Sequence, residues 1–216
     1  MDTVEQRDPW LFERKARELG YSLIAGVDEA GRGPLAGPVV AAAVILPLDF
    51  RTDGVRDSKK LSPLQREDAY ERILSEAEAV GIGVSDTEEI DRINILQATY
   101  CAMRSAIAAL HTDLDCVLVD GRAIPQLSIP QQAIVRGDNL SVSIGAASIV
   151  AKVTRDRIML EMDGRYPGYG FARHKGYCTP EHIEAICRQG VCEIHRKSFA
   201  PISEQVESAC RQRSLF

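Results

Sequence analysis

Stretches of apolar and β-branched residues predict the strands of this chain. Residues 22–27 and 38–46 are apolar, and the second stretch shows no polar alternation, which is typical of strands that are buried on both faces. Shorter apolar runs predict strands at 81–85, at 116–119 with Asp120 at its end, and at 133–135. The sequence therefore predicts five strands.

Segments of helical periodicity lie between and after these strands. Ser62 and Pro63 form a typical start, an N-cap followed by proline at the first helical position, and we expect that helix to end near residue 79. Residues 95–110 are rich in alanine and predict a helix, and residues 142–162 repeat apolar positions at intervals of three and four, which predicts a long amphipathic helix. Thr179 with Pro180 and Glu181 is a further helix start.

Strands and helices in this order predict an α/β fold, with a mixed sheet flanked by helices and a C-terminal helical subdomain. We expect a catalytic domain at 1–165 that includes an N-terminal helix, a helical part at 166–211 packed on the same domain, and a tail at 212–216. In such sheets ligands bind beyond the carboxyl ends of the strands.

Composition limits the class of protein. The 216 residues are 45% hydrophobic and 26% charged, within the ordinary globular range. The apolar runs are shorter than the roughly 18 residues that a membrane span requires, and the N-terminus shows no secretory signal pattern. We therefore predict a cytoplasmic protein without a membrane partner. Six irregularly spaced cysteines fit neither a zinc site nor a secreted disulfide framework, so we expect reduced thiols.

Charge alone does not decide whether the partner is a nucleic acid. The net charge of −5 argues against one, because phosphate binding usually requires a basic surface. However, twelve acids and six bases lie between residues 49 and 91, whereas nine bases and six acids lie between 151 and 200. The segregated charges fit a basic surface and also fit two solvated helix faces.

Acidic residues follow three of the predicted strands. Asp28 and Glu29 follow the first strand, Asp120 ends the fourth, and Asp138 follows the fifth. Carboxylate oxygens suit Mg²⁺ or Mn²⁺, and two such ions about 4 Å apart can hold the attacking and leaving oxygens of a phosphoryl displacement. Neighbouring strand residues point to opposite faces, so we expect a bend near Gly31. The alternative role of each acid is that of a turn or cap residue.

The glycine-rich tripeptide Gly31-Arg32-Gly33 follows the first acidic pair. Its glycines permit close approach of backbone amides to a ligand, and Arg32 adds charge. It lacks the spacing of a dinucleotide fingerprint, and the sequence has no Walker A loop. A simple tight turn is the alternative.

Six motifs together resemble the ribonuclease HII family in order and approximate spacing. They are residues 26–40 (GVDEAGRGPLAGPVV), 57–62 (DSKKLS), 119–121 (VDG), 152–156 (KVTRD), 174–177 (HKGY) and 195–199 (HRKSF). The resemblance covers almost the whole chain. Cys178 departs from it, since the family more often has Pro or Gly there.

This resemblance implies a fold, an activity and a set of site residues. It implies a ribonuclease H-like sheet and an endoribonuclease that acts on RNA:DNA hybrids and on ribonucleotides embedded in duplex DNA. Cleavage on the 5′ side would leave 3′-hydroxyl and 5′-phosphate ends, with two Mg²⁺ or Mn²⁺ ions in the active complex. The metal and catalytic residues would be the four acids Asp28, Glu29, Asp120 and Asp138. Junction recognition would fall to Gly31, Arg32, Gly33 and Tyr177.

Several other polar residues could have either a functional or a structural role. Lysines and an arginine could contact substrate phosphates or could simply be solvated: Lys59, Lys60, Lys152, Arg155 and Lys175. Lys152 and Asp156 are spaced for an i,i+4 ion pair. We expect structural roles, rather than proton transfer, for His174, His182 and His195.

The C-terminal residues 212–216 (QRSLF) resemble the short peptide with which replication proteins bind the bacterial sliding clamp. Gln212, Ser214, Leu215 and Phe216 would contact that partner, and a frayed tail is the alternative. We expect a monomer. The alternatives for the whole chain are another nuclease of the ribonuclease H-like superfamily and a catalytically inert nucleic-acid-binding module.

Overall fold

Five strands form one mixed sheet. The computed structural model describes residues 8–55 and 61–204. The strands are β1 (Ile24–Ala30), β2 (Val39–Ile45), β3 (Ala79–Ser85), β4 (Cys116–Asp120) and β5 (Gln131–Ile134). They lie in the order β3-β2-β1-β4-β5. β2 is antiparallel to β1 and β3, whereas β4 is parallel to β1 and β5. The carboxyl ends of β1, β4 and β5 therefore meet at one edge.

Seven α-helices and one short 3₁₀ turn are described. They are α1 (Leu11–Glu18), α2 (Pro63–Glu76), α3 (Thr87–Ile93), α4 (Ile95–Ala108), α5 (Val142–Arg165), α6 (Phe171–His174) and α7 (Pro180–Gln189), with the 3₁₀ turn at Gly137–Asn139. The predicted starts are confirmed: Ser62 forms a capping box with Gln65, and the side chain of Thr179 accepts from the amide of His182.

Helices α4 and α5 cover opposite faces of the sheet. Successive side chains of β1 and β2 point to opposite faces of the sheet. Val27 and Ala43 therefore pack with α4, whereas Ala42 and Val44 pack with α5. α5 lies so close to β1 that a Cβ at Gly26 would stand 2.1 Å from the backbone carbon of Ser143. A side chain at this glycine would therefore push α5 away from the strand that contains Asp28 and Glu29.

The C-terminal segment packs against α5 and the loop between β1 and β2. Buried residues of α5, this loop and the C-terminal helices form one apolar cluster: Ala36, Met159, Tyr169, Phe171, Ala185 and Ile186. Residue 36 also forms an isolated antiparallel bridge with His195. The division of the chain into parts at residue 165 stays a prediction, but this packing gives the C-terminal segment access to the glycine-rich loop.

The structure corrects the element boundaries in several places. β1 extends to Ala30 rather than ending at 27, α2 ends at Glu76, and β3 begins at Ala79. The sequence analysis missed α3, a seven-residue helix capped by Asp86. The helices within residues 8–55 and 61–204 include none with the length and apolar character of a membrane span. The prediction that all cysteines are reduced is wrong for Cys187, which is disulfide-bonded.

Candidate active site

Asp28 and Asp120 lie side by side on neighbouring parallel strands. Val27 of β1 pairs with Val119 of β4, so the next residue on each strand is an aspartate. Asp28 is buried and hydrogen-bonds the side chain of Ser148 on α5. The sheet register therefore delivers two carboxylates to one point at the edge where the parallel strands end.

Glu29 approaches the same point from the other face of the sheet. The expected bend in β1 does not occur at the acidic pair, because Asp28 and Glu29 stay in register with Ala42 and Ala41 of β2. Instead, Oδ1 of Asp28 accepts from the amide of Glu29 at 2.7 Å. Glu29 and Asp120 both line a cleft of about 350 Å³ that also contains Arg32. The acids meet around the end of the strand, without a distortion of the strand itself.

Asp138 is placed by the turn that follows β5. Arg136 has a positive φ of 59°, which directs the chain into the 3₁₀ turn that contains the buried Asp138. The amide of Gly137 donates to Oδ1 of Asp120 at 2.6 Å, and Asn139 donates to Oδ1 of Asp138 at 2.8 Å. A hydrogen bond to Asp120 therefore links the turn after β5 to the end of β4, which lies beside the end of β1.

The acids are held close together in a setting that disfavours their charge. Burial raises the pKa of Asp28 well above its ordinary value, and the charges of Glu29 and Asp120 raise it further. Burial also raises the pKa of Glu29, although the hydrogen bond from Arg32 and the charge of Arg32 lower it. The guanidinium of Arg32 lies 3.0 Å from the carboxylate of Glu29. A cation at this edge would stabilise the ionised carboxylates.

The donor set fits Mg²⁺ or Mn²⁺. All candidate ligands are carboxylate oxygens, which these hard ions prefer. Within residues 8–55 and 61–204, no three His, Cys, Asp or Glu side chains are grouped so that they could hold an ion by themselves. Magnesium is commonly bound through one or two carboxylates, with water and substrate phosphate oxygens as its other ligands. The arrangement therefore suits an ion that is completed by substrate.

Two buried arginines organise the loop that contains Gly31, Arg32 and Gly33. Arg155 on α5 donates from Nε to the carbonyl of Pro38 at 3.0 Å and from Nη2 to that of Ala36 at 3.1 Å. Arg196 binds further carbonyls of the same loop. Gly31 has φ +94°, and a Cβ there would lie 2.0 Å from Nε of Arg155. Both alternatives offered for Arg155, contact with substrate phosphates and simple solvation, are wrong, because its side chain is fully buried.

Tyr177 lies beside this loop with its ring partly exposed. A Cβ built on Gly33 would stand 3.9 Å from Cε1 of Tyr177, and the guanidinium of Arg155 lies 5.9 Å from the ring centroid. The side chain remains 44% exposed. The structure thus brings together the glycine-rich loop and the tyrosine, which are more than 140 residues apart in the sequence.

Three buried histidines fix the backbone turn before Tyr177. Nδ1 of His182 lies 2.9 Å from the carbonyl of Tyr177 and must donate to it, so its Nε2 accepts from Nε2 of His195 at 3.1 Å. His174 accepts from the amide of Gly176 through Nδ1 and donates from Nε2 to Tyr169 O. Burial lowers the pKa of His182 and of His195 to about 4, so both are neutral at physiological pH. These contacts agree with the structural role predicted for the histidines.

Two of the candidate phosphate-binding lysines, Lys152 and Lys175, are described, and they line a groove other than the cleft of Glu29 and Asp120. Lys152 donates to Asp156 at 2.7 Å, which confirms the predicted i,i+4 pair. Lys152 and Lys175 line a groove of about 660 Å³ between α2, α5 and α6, which has both basic and acidic side chains. Lys59, Lys60 and the proposed clamp-binding residues 212–216 lie outside the described residues.

Sequence reasoning missed Arg196 and Ser148. Arg196 stands within the motif at 195–199, but its spacing gave no sign that its side chain reaches back to residue 31. Ser148 lies on α5 six residues after the start of that helix, where a serine is unremarkable without knowledge of β1 beneath it. The packing of α5 on the sheet reveals the role of Ser148, and the packing of the C-terminal segment on the loop after β1 reveals that of Arg196.

Comparisons with known proteins identify the family. The family model for Ribonuclease HII matches residues 25–202. Ribonuclease HII of Geotalea uraniireducens is 56% identical over 205 residues, which is 94% of this chain and 95% of that protein. The Geobacter sulfurreducens protein is 56% identical and covers 97% of both chains. A ribonuclease H2 structure from Pyrococcus horikoshii matches with TM-score 0.73 and 27% identity, covering 88% of this chain and all of its own. The chain therefore belongs to the ribonuclease HII family and is a ribonuclease H.

Proposed function

We propose that this enzyme hydrolyses RNA in RNA:DNA hybrids and cuts on the 5′ side of ribonucleotides embedded in duplex DNA, with two Mg²⁺ or Mn²⁺ ions. The observation that supports this most is the meeting of Asp28, Glu29 and Asp120 at one sheet edge, next to the loop at residues 31–33. Family membership supports the ribonuclease H activity. The cleavage position and the number of ions are our proposal.

The four acids would hold the metals and so place the scissile phosphate. Asp28, Glu29, Asp120 and Asp138 would supply the protein oxygens, and Ser148 holds the carboxylate of Asp28 in place. When bound, the divalent ions make water a stronger nucleophile and offset charge on the leaving 3′-oxygen. That oxygen departs as a 3′-hydroxyl, and the phosphate stays on the 5′ side of the ribonucleotide.

Substrate choice would depend on the ribose 2′-hydroxyl. This group is what distinguishes RNA from DNA at a given position. Arg32 lines the cleft of Glu29 and Asp120, and the next residue, Gly33, neighbours the ring of Tyr177, so a nucleotide placed at the acids would lie near the loop and the tyrosine. We therefore assign 2′-hydroxyl recognition to the loop and packing against the next sugar to Tyr177. Lys59, Lys60 and Lys152 would bind phosphates further along the duplex.

A cleavage assay on a duplex with a single ribonucleotide tests the proposed function. With Mg²⁺ present, we expect one cut on the 5′ side of the ribonucleotide, with 3′-hydroxyl and 5′-phosphate ends. With chelator, binding should persist without cleavage, since the acids then lack the ions that the reaction requires. The same duplex made entirely of DNA is the control. Cleavage of that control, or a product cut on the 3′ side, would contradict the proposal.

We further propose that residues 212–216 bind a replication sliding clamp. A related chain, 26% identical with TM-score 0.71, comes from the structure of the PCNA:RNase HII complex from Archaeoglobus fulgidus. Tethering would raise the local enzyme concentration on new DNA without changing the active site. Deletion of 212–216 should abolish clamp binding in calorimetry and leave cleavage of short duplexes unchanged. Clamp affinity that survives the deletion would refute this assignment.

The monomeric state and the cytoplasmic location stay predictions.

A further inference from the structure

Arg155 and Arg196 are charged groups buried behind the glycine-rich loop. Both side chains are fully buried. Among the described residues, neither forms an ion pair with a carboxylate within 4 Å. Burial and the charge of Arg155 lower the pKa of Arg196 to about 9, so it remains protonated at neutral pH. Carbonyl oxygens of the loop accept hydrogen bonds from its guanidinium. Burial of this charge costs free energy unless the N–H donors of the guanidinium are well placed toward those oxygens.

The hydrogen bonds of Arg196 fix the orientation of two successive peptide groups. Its Nη2 donates to the carbonyl of Gly31 at 2.5 Å, and its Nη1 donates to that of Arg32 at 2.8 Å. Nε and Nη2 also donate to Gly37 O, which holds the other end of the loop. The peptide bonds of this loop are trans, since the cis bond described is Ala200-Pro201. In a trans peptide the N–H points opposite to the C=O.

Two N–H groups therefore point away from Arg196. They belong to Arg32 and Gly33, whose preceding carbonyls face the guanidinium. In the part of the chain that is described, no acceptor receives a hydrogen bond from either of them. Successive N–H groups that point the same way form a concave site for an oxygen acceptor, and a positive charge behind them strengthens it. The two residues that carry these amides neighbour the site, since the Arg32 side chain lies 3.0 Å from the carboxylate of Glu29, and a Cβ on Gly33 would lie 3.9 Å from the ring of Tyr177.

Arg196 is itself held firmly in place. Its amide donates to the carbonyl of Leu35 at 2.8 Å, and its guanidinium lies 5.0 Å from the ring centroid of Phe199. The next two amides, of Lys197 and Ser198, both donate to the carboxylate of Asp91 on α3 at 2.9 Å. The C-terminal segment is thus anchored on both sides of the arginine.

We propose that Arg196 is a positioning residue that turns the amides of Arg32 and Gly33 toward the 2′-hydroxyl and adjacent phosphate oxygen of the bound ribonucleotide. This inference rests on the proposed function and deepens it, because it assigns the choice of RNA over DNA to a side chain that never touches the substrate. The buried charge acts through the loop, and the two amides make the contact.

The test measures the affinity of the enzyme for two duplexes in the presence of chelator, so that neither is cut. The preference for a ribonucleotide is the ratio of the two affinities. The two probes are a DNA duplex with one ribonucleotide and the same duplex made entirely of DNA. Arg196→Lys keeps a charge but loses the fork that orients two carbonyls. We expect the wild-type preference to fall about tenfold, the effect of losing a hydrogen bond to the hydroxyl, while affinity for the all-DNA duplex stays unchanged. A structural defect would instead weaken both affinities together.

Arg157→Lys is the matched control. Arg157 lies on the surface of α5 and pairs with Glu67 and Glu71 of α2, and none of its described hydrogen bonds goes to the loop carbonyls. It should retain the full preference. A wild type without any ribonucleotide preference would refute the proposed recognition itself, whereas a wild-type preference retained in Arg196→Lys would overturn only the role of Arg196.

A measurement on the wild type covers the case in which Arg196→Lys does not fold. The amide protons of Arg32 and Gly33, followed by NMR, should exchange rapidly with water in the free enzyme. Addition of the ribonucleotide duplex in chelator should slow their exchange, and the all-DNA duplex should not. Slow exchange in the free enzyme, or no difference between the duplexes, would overturn the proposed orientation.

Discussion

Replacement of Asp120 by Asn is expected to lower the rate of cleavage by about a thousandfold or more and to leave the fold intact. The loss of one metal-binding charge can cost several kcal/mol of barrier, and about 1.4 kcal/mol corresponds to a factor of ten. The fold should survive, since the amide oxygen of Asn can still accept from Gly137, whose amide lies 2.6 Å from Oδ1 of the native aspartate. Single-turnover cleavage of the ribonucleotide duplex measures the loss, and circular dichroism verifies the fold.

A second measurement ties this loss to the metal. Calorimetric titration with Mn²⁺ should show weaker binding by Asp120→Asn than by the wild type. Asp113→Asn is the matched control, because Asp113 is an exposed aspartate in the loop before β4, at the opposite end of the same strand. It should behave like the wild type in both assays. Near-normal turnover by Asp120→Asn would remove Asp120 from the catalytic set.

Tyr177→Ala is expected to lower the rate on an embedded ribonucleotide by about 10- to 100-fold, the range that aromatic packing against a nucleotide contributes. Stability should change little. The ring is 44% exposed, and the turn is held through backbone atoms by His174 and His182 rather than by the ring. Cleavage rates and thermal unfolding of the same preparation separate the two effects.

Tyr177→Phe serves as the control for the ring. Because packing against the sugar requires the aromatic face and not the hydroxyl, this variant should cut within a few-fold of the wild-type rate. If Tyr177→Phe were as slow as Tyr177→Ala, the hydroxyl would be the functional group. If Tyr177→Ala cut at the wild-type rate, Tyr177 would have no part in substrate recognition.

The sequence by itself determined the elements whose signals are local. The cap at Ser62, the cap at Thr179 and the pair of Lys152 with Asp156 depend on residues within one helical turn, and all three were predicted correctly. Strands β2 and β4 were also predicted within a residue or two, since burial on both faces leaves a continuous apolar run. The family followed from motifs that are linear in the chain, and the comparisons confirm it.

Local signals failed where an element depends on its neighbours. β1 continues through Asp28 and Glu29, because pairing with β2 satisfies the backbone of polar residues that look like the end of a strand. α3 is so short that its cap at Asp86 was overlooked. Arg155 was expected either to contact phosphate or to be solvated, since the sequence cannot show that five carbonyls of a distant loop surround it and Arg196.

The tertiary structure alone decided how the candidate site is assembled. The sequence supplied the acids, but sheet register placed Asp28 beside Asp120, and the packing of the C-terminal segment brought Arg196 and Tyr177 to the loop at residues 31–33. A linear pattern records which side chains are present and how they repeat over a few residues. The direction of a peptide N–H, by contrast, is fixed by hydrogen bonds to residues more than 160 positions away, and only the folded chain contains those bonds.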